Sequence, residues 1–389
     1  MAVNTLGIEQ AYNLLNAIHA QATGKTALAA TDTSSFVSVA QATLRAGYDQ
    51  VLQAITQVVS KTLMAVRPYS RKFAGLQVDT AKWGGIIRKI SFADRGALPD
   101  DTYNLTDGSP VDQFVVRNPK PLETRYVGSD VYQGCYTVFT KQLDVAFSGP
   151  EEFASFMSGL MLHFSNEREQ WLEDLSRGIV VNAIAAKFDI NHDIVHLLTE
   201  YNTATGQSLT QATVKLAANY GPFIRWCYAR IAQVSQQMTE RSELFQEKIT
   251  GYDINRHTPV QDQKLYMNAD WLEHIKAEVL STTYHNDLLS LADVEAVGYW
   301  QAIQSPMSIN DKPVYIDSNG DVKIAAAAVV EGDIVGVLFD RDAMGYCIGD
   351  DTLETSPYNA AGQYYNLFSH MRVQLQNDMT EKIVVFQFD

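Results

Sequence analysis

The 389-residue sequence lacks the segments that direct a chain into or across a membrane. Its longest purely aliphatic run, residues 324–330, is far shorter than the about 20 residues of a membrane-spanning helix. Met1 is not followed by a basic stretch and an apolar core, so no secretory signal is predicted. These absences predict a protein that is soluble in the compartment where it is made.

Cysteine is also scarce, because only Cys135, Cys227 and Cys347 occur and they lie far apart. An odd number at such spacing does not suit a disulfide framework or a zinc site. The pattern predicts three reduced, buried thiols in a cytosolic protein.

Basic residues are in the minority: 30 Lys and Arg stand against 45 Asp and Glu, which gives a formal net charge of −15. Tight binding to nucleic acid uses clustered Lys and Arg that displace counterions, and no such cluster stands out. A protein of this composition can lie beside DNA, but we do not expect it to bind DNA tightly.

Local catalytic motifs are absent, since no G-x-S-x-G, H-E-x-x-H or C-x-x-C occurs. A triad built from distant residues is recognised only by geometry and stays open at this point. The sequence therefore assigns no catalytic, cofactor-binding or metal-ligating residue, and it favours a protein that is not an enzyme.

One segment partly matches a phosphate-binding loop, "ATGKTA" at residues 22–27. The full pattern needs a glycine where His19 stands, and it needs a preceding strand. Residues 8–21 instead have apolar residues at helical spacing. A flexible turn is the interpretation we favour, and a nucleotide-dependent enzyme that uses Lys25 is the alternative.

A second segment, "DINHDIVHLLTE" at residues 189–200, partly matches a calcium-binding loop. Positions 1, 3, 5 and 12 of the template are filled by Asp189, Asn191, Asp193 and Glu200. The sixth position must be glycine, and it is Ile194. His192 and His196 could meet on a helix, but no third ligand is evident nearby. Polar turn residues around a buried core are expected; a metal-dependent enzyme built on the Asp189 cluster is the alternative.

The N-terminal part of the chain is predicted to be helical, over residues 8–21 and 37–63, with an extended segment of small polar residues at 24–36. We interpret these residues as helices on a flexible arm. The alternative is a helical subdomain.

Two strands are predicted at residues 84–93 and 123–139, joined by about thirty residues rich in Pro, Asp, Asn and Gly. This pattern predicts a two-stranded ribbon with a long polar tip. Because a two-stranded ribbon is marginal alone in water, we expect it to lie on a neighbouring subunit.

The strongest helix signal is at residues 148–188, where apolar residues that include Trp171 keep to one face. Ser148 and Glu151 have the spacing of a capping box, and Pro150 suits the first turn. Gly178 could bend or end the helix. Some thirty helical residues would span roughly 45 Å, which suggests a spine for the fold.

Residues 196–365 are predicted to form a mixed α+β region, and no internal repeat is visible in them. Helices are expected at 210–219, 222–240 and 269–280, the last capped by Asn268. Strands are expected at 263–267, 313–317, 321–326, 333–340 and 345–348, with a hairpin turn at "DSNGD", residues 317–321.

The sequence ends with an alternating strand at 369–376, a turn at Asn377 and Asp378, and a segment at 382–388 that is apolar on both faces. We predict a hairpin. It would join the sheet that begins with the strand after the ribbon, packed on the long helix.

The order of these parts resembles the major capsid proteins of tailed double-stranded DNA bacteriophages, the family with the HK97-like fold. The most specific residues are "VGVLFDRDAMGY" (335–346) and "SPYNAAGQYYNLFSHMRVQLQNDMTEKIVVFQFD" (356–389). The family's usual ending is similar: "DRDA" after a strand, an "N-x-x-G-x-Y" stretch, and "ND-x-TEK" at a closing turn.

The resemblance implies an α+β HK97-like capsid fold in five parts. They are an N-terminal arm with helices (1–70), an E-loop with flanking P-domain strands (71–140), a P-domain spine helix (141–195), an A-domain (196–365) and a C-terminal P-domain hairpin (366–389).

The resemblance also implies a structural function. Subunits would self-assemble as hexamers and pentamers into an icosahedral head around packaged double-stranded DNA, with the E-loop and the N-arm laid on other subunits. It implies a scaffolding protein, a portal and decoration proteins as partners, no membrane and no cofactor. The chain would be made in the host bacterial cytoplasm and end in the virion. An encapsulin-like compartment shell, which shares the fold, is the alternative within this class.

Overall fold

The computed structural model describes residues 8–26, 28–47, 49–55, 71–78, 86–96, 105–108, 114, 116, 118–127, 130–280, 293–301 and 305–389. Residues 48 and 56–63 of the predicted helix 37–63 and most of the predicted ribbon tip lie outside these residues. The α+β class is as predicted. None of the described helices combines the length and the apolar content that crossing a bilayer requires.

The helices in chain order are α1 (Ile8–Thr23), α2 (Thr33–Leu44), α3 (49–55 among the described residues), α4 (Thr140–Ala146), α5 (Pro150–Ile190), α6 (Leu197–Thr205), α7 (Gln211–Val214), α8 (Ala217–Thr239) and α9 (Ala269–Leu280). The strands are β1 (Ile86–Phe92), β2 (Pro121–Val127), β3 (Asp130–Phe139), β4 (Ile194–His196), β5 (Gln263–Asn268), β6 (Asp293–Val297), β7 (Ile309–Asp311), β8 (Val314–Ile316), β9 (Val322–Ile324), β10 (Val329–Glu331), β11 (Ile334–Asp340), β12 (Met344–Thr355), β13 (Tyr364–Asn377) and β14 (Ile383–Gln387).

A five-stranded sheet in the order β4–β14–β11–β5–β6 forms the centre of the molecule. The last strand, β14, is antiparallel to β11 and parallel to β4, so it has a partner on both edges. Ile383 and Val385 face the core that contains α5, whereas Val384 and Phe386 face the core formed with α8 and α9. Because both faces of the sheet are covered by helices, a strand at this place must be apolar throughout.

A three-stranded antiparallel sheet, β12–β13–β3, lies on the spine helix. β13 pairs with β3 as predicted, but β13 and β14 do not pair with each other, so the predicted C-terminal hairpin is wrong. The chain passes between these two sheets three times, between β3 and β4, between β11 and β12, and between β13 and β14. The predicted boundary at residue 365 therefore does not follow the sheets, since β12 already belongs to the three-stranded sheet.

The spine helix α5 is longer than expected: it has 41 residues and spans roughly 60 Å. Gly178 does not end it, and the helix runs to Ile190, after which Asn191 closes it in the left-handed conformation with φ 56°. Pro150 is the first helical residue, as predicted. The capping box is wrong, because Gly149 is the N-cap residue and the Ser148 hydroxyl donates instead to the Val145 carbonyl at 2.6 Å.

Trp171 on α5 packs against Gly134 of β3, where the absence of a side chain makes room for the indole ring. A Cβ added at Gly134 would lie 2.5 Å from the Trp171 ring. Trp171 is only partly buried, but it packs against the core between α5 and the sheets, which agrees with its predicted position on the apolar face.

The N-terminal helices pack on the body of their own chain. Leu15 of α1 and Phe36 and Val39 of α2 are buried in one core with Phe153 of α5. For the described residues, this packing is that of the alternative interpretation, a helical subdomain, and not that of a flexible arm. The predicted helix 37–63 is interrupted at Gly47, whose φ of +108° suits glycine, and residues 33–36 belong to α2 rather than to an extended segment.

Most of the remaining predicted elements are present with shifted ends. The hairpin turn at 317–321 is confirmed, because β8 and β9 pair around it. The amide oxygen of Asn268 accepts from the backbone N–H of Asp270 at 3.0 Å, which confirms the predicted cap of α9. The predicted helix 210–219 is two pieces, and Pro222 lies within the first turns of α8 rather than at its start.

The last residue, Asp389, caps helix α6. His196 at the N-cap position makes no side-chain capping bond. The Asp389 carboxylate instead accepts from the backbone N–H groups of Leu198 and Thr199, at 3.0 and 3.2 Å. Burial raises the pKa of this carboxyl, but the hydroxyl and amide of Thr199 outweigh burial and hold the pKa below its usual value. These bonds to α6 thus fix the chain just after the C-terminal end of β14.

We predict that Asp389→Ala lowers the free energy of unfolding by about 1 kcal/mol at pH 7, the typical effect of losing such a cap. Because the folded-state pKa is lowered, this contribution is present above the unfolded pKa of about 4 and is lost as the pH falls below it. Urea unfolding of the unassembled chain at pH 7 and pH 3 measures both effects. Asp389→Asn, which keeps an acceptor, should lose less. A deficit of Asp389→Ala that is equal at both pH values would contradict the prediction.

We also predict that Gly134→Ala lowers the free energy of unfolding by about 1–3 kcal/mol, because the new methyl group overlaps the Trp171 ring. Adding Trp171→Phe, which removes the overlapping part of the ring, should recover part of that loss. Urea unfolding of the two single variants and the double variant measures the coupling. Additive losses would show that the two residues do not meet.

Candidate functional site

The predicted ribbon is present as β1 and β2, which pair antiparallel over seven residues from Ile86 opposite Val127 to Phe92 opposite Pro121. The predicted second strand, 123–139, is divided between β2 and β3, and β3 belongs to the three-stranded sheet instead. Its two faces differ. The outer face is open to solvent and carries Ile90 and Phe92, which are 53% and 58% exposed, together with Val127. The inner face carries Lys89 and lies on the chain's own body. The expectation that a neighbouring subunit supplies the ribbon's support is therefore wrong for the base of the ribbon.

An ionic network fixes the inner face of the ribbon. The Lys89 ammonium lies 2.9 Å from an Asp378 carboxylate oxygen and also contacts Glu381. Arg256 pairs with Glu381 at 2.8 Å and donates to the Ser91 hydroxyl at 3.0 Å. Asp378 and Glu381 are buried, so the network works in a region of low dielectric where charge pairing is strong.

The network keeps Lys89 charged. Burial would lower the pKa of its ammonium, but the carboxylates of Asp378 and Glu381 outweigh burial and raise that pKa. Burial also pushes the pKa of Asp378 upward, but Lys89 and the hydrogen bonds from Thr380 outweigh it and lower the pKa. For Glu381, burial prevails and the pKa is raised. Lys89 is therefore a charged group that pairs with both Asp378 and Glu381.

Two further ties hold the ribbon. Beyond the end of β1, Asp94 pairs with Arg241 and accepts from the backbone N–H of Asn255 at 2.8 Å. At the opposite end, the side-chain amide of Gln374 on β13 donates to the Tyr126 carbonyl at 2.6 Å. The ribbon is thus bound to the segment after α8 at one end and to β13 at the other.

We call the ionic network of Lys89, Arg256, Asp378 and Glu381 the anchor. It explains the charged residues of the "ND-x-TEK" motif, for which the sequence predicted only a turn. Within it, the Asp378 carboxylate also accepts from the backbone N–H of Thr380 at 2.9 Å, so the turn positions its own charges. Lys382 is fully buried and donates to the Ser242 hydroxyl at 3.0 Å. One sequence feature could have predicted the anchor: ionisable residues stand next to a strand that is apolar on both faces. Charged side chains beside a buried strand are themselves buried only when they are paired.

The residues of the partial calcium loop do not converge on one point. Asp189 accepts from the Tyr315 hydroxyl at 2.5 Å and pairs with Lys323, whereas Glu200 pairs with Arg230 on α8 at 2.6 Å. Asp193 does lie near His192 and Glu247, the one such trio that could hold a metal ion among the described residues.

The centre of that trio is taken by Lys187. Its fully buried ammonium lies 2.6 Å from Asp193 and 3.0 Å from Glu247. A cation is already in place between the two carboxylates, and the cluster holds the end of α5 to the loop between α8 and β5.

The partial phosphate loop lies at the end of a helix rather than after a strand. Gly24 follows α1 with φ +67°, and Lys25 is exposed in the turn beyond it. Of the cysteines, Cys227 and Cys347 are buried free thiols as predicted, whereas Cys135 on β3 is an exposed free thiol.

We predict that Lys89→Met lowers the free energy of unfolding by about 3 kcal/mol, because Asp378 and Glu381 then stay buried without their main cation. Arg88→Met is the matched control: it removes the preceding cation, which lies on the outer face and pairs with Glu123 in solvent. Urea unfolding of the unassembled chain compares them, and Arg88→Met should lose far less. Equal losses would contradict the role of Lys89 as an anchor.

Comparison with known proteins agrees with this architecture. The model of the family described as Phi29-like phage major capsid protein matches residues 15–387. No curated protein sequence matches the chain.

Two solved structures show the same fold at low sequence identity. The capsid structure of Staphylococcus phage Andhra has a TM-score of 0.56 at 9% identity, with 84% of this chain and 86% of that chain covered. A structure described as head fiber and inner core protein gp22 of native bacteriophage P68 has a TM-score of 0.51, also at 9% identity, over 82% of this chain and 85% of that chain.

These matches support neither the encapsulin-like compartment nor the enzyme. A family match that spans nearly the whole chain and an HK97-like fold shared with phage capsid structures lead to one conclusion. The chain belongs to the Phi29-like phage major capsid proteins, structural proteins that self-assemble into the capsid of the virion.

Proposed function

We propose that the chain forms hexamers and pentamers that close into an icosahedral head around packaged double-stranded DNA, with the outer face of each ribbon laid against an adjacent subunit. The observation that carries this proposal is the outer face of the ribbon. Ile90 and Phe92 face solvent there although the inner face is firmly anchored. Apolar side chains held out in this way are typical of an interaction site.

The pairing within the ribbon supports the same proposal. On the outer face, Arg88 and Arg125 flank Glu123 and lower the pKa of its carboxyl to about 2. The face therefore has an ionic centre between apolar ends. Such a mixture suits contact with another folded surface, in which charges set register and apolar side chains supply buried area.

The charge of the chain supports enclosure of DNA without sequence-specific binding. A formal net charge of −15 would limit adhesion of DNA to the shell, so that DNA could be packaged and released. A scaffolding protein, a portal and decoration proteins are the partners we expect during assembly in the bacterial cytoplasm.

We keep the five-part division as a proposal, with two changes. The arm (1–70), the E-loop (71–140), the spine (141–195), the A-domain (196–365) and the C-terminal part (366–389) would be the functional units. β12 would be grouped with the C-terminal part because it pairs with β13 in the three-stranded sheet, and β14 would be part of the A-domain because it lies in the five-stranded sheet.

The test is the double variant Ile90→Asp with Phe92→Asp, which places charge on the outer face while leaving the anchor intact. We expect a soluble chain with an unchanged melting temperature that no longer forms closed particles, as seen by light scattering and negative-stain microscopy. Leu216→Asp, an equally exposed position before α8, is the control and should form particles. Normal particles from the double variant would contradict the proposed contact, as would normal particles after deletion of residues 93–116.

A further inference from the structure

A cavity of about 800 Å³ lies on the surface beside the spine helix, outside the anchor. Its floor includes Leu175 and Ile179 of α5. One wall is the β8–β9 hairpin, and the other is the base of the ribbon at Tyr126 and Val127. We refer to this cavity as the spine groove.

Three side chains on the apolar side of the β8–β9 hairpin, Val314, Ile316 and Val322, line the spine groove, and Tyr315 also contributes to its lining. The pairing sets Val314 opposite Ile324 and Ile316 opposite Val322, so these four side chains share one face. Val322 is 72% exposed there. This is the reverse of an ordinary surface hairpin, whose apolar side faces the core.

Polar contacts hold the hairpin in that orientation. The side-chain amide of Asn182 on α5 donates to the Val314 carbonyl at 2.9 Å and accepts from the Val314 N–H at 2.8 Å. On the opposite face, Tyr315 and Lys323 both bond to Asp189 near the end of α5. The hairpin cannot rotate to bury its aliphatic side chains without breaking these bonds, so the groove is held open.

The spine groove is continuous with the outer face of the ribbon. Arg125 and Val127 belong to both, because they lie on the exposed face of β2 and also line the groove. The rim adds Asp174 and Asp311, so charges of both signs surround the apolar floor. Such a surface fits a folded protein of mixed charge and does not fit nucleic acid.

We propose that a second copy of this chain covers the spine groove in the assembled capsid, so that the ribbon face and the groove form one interface. The inference rests on the proposed ribbon contact and extends that contact to the β8–β9 hairpin. A second copy is the occupant because the chain self-assembles into capsids and because the groove continues the surface already assigned to that contact.

The first test compares Val322→Asp with Val330→Asp. Val330 on β10 is a valine of similar exposure, 68%, that does not line the groove. Both variants should keep the wild-type melting temperature, but only Val322→Asp should reduce the yield of closed particles, by at least tenfold. Closed particles at wild-type yield from Val322→Asp would overturn the inference while leaving capsid formation intact. Equal loss from both variants would also overturn it, since the effect would not belong to the groove.

A second measurement identifies the occupant. Val322→Cys in a Cys135→Ser background places one accessible thiol in the groove, because the other two cysteines are buried. Unassembled subunits labelled with bimane are mixed with unlabelled chain and assembled from the purified protein alone. A blue shift of the emission and protection from an aqueous quencher in closed particles support coverage by a second copy. Unchanged emission in closed particles overturns it, because a different partner or none would then cover the groove.

Discussion

The structure depends on the insertion of β14 into the middle of the five-stranded sheet. This strand pairs with β11 on one edge and with β4 on the other, and both of its faces are buried by helices. The residues immediately before it, Asp378 and Glu381, hold the ribbon, and Asp389 after it caps α6. Correct placement of one strand thus positions the central sheet, the first turn of α6 and the base of the ribbon together.

Anchoring the ribbon by charge has a consequence that apolar packing would not have. A buried ion pair adds little net stability compared with apolar side chains of the same size, but it has a defined direction and partner. Lys89 can reach Asp378 and Glu381 in one register only, whereas an aliphatic contact tolerates sliding. The network therefore fixes which face of the ribbon lies inward, and so which face presents Ile90 and Phe92 to solvent.

Sequence patterns predicted elements that are held by local periodicity. The spine helix, the ribbon strands and the β8–β9 turn follow from spacing, proline and turn chemistry, and they are present. The predictions that were wrong concern partners distant in sequence. β13 and β14 are separated by a short turn that looks like a hairpin, but β14 gains more by filling the gap between β4 and β11.

Partners that are distant in sequence were also not predicted at the candidate functional site. Nothing near Lys89 in the sequence shows that its counter-ions lie almost 300 residues later, because pairing of that kind is decided by the fold. Likewise, the N-terminal helices were expected on another subunit, yet the apolar face of α1 and α2 is used on α5 of the same chain. An amphipathic helix indicates that a partner exists; it does not indicate which chain supplies the partner.

Rigid support and exposed apolar surface occur together at two places, the ribbon and the β8–β9 hairpin. In both, charged or amide groups tie one face to the body and aliphatic or aromatic side chains are held in solvent on the other. Association costs less free energy when the contact groups are ordered before they meet, because fewer side chains and loops must be immobilised. A subunit that must join many identical neighbours gains from this arrangement at every contact. The polar ties of the free subunit are therefore part of what makes the assembled contacts stable.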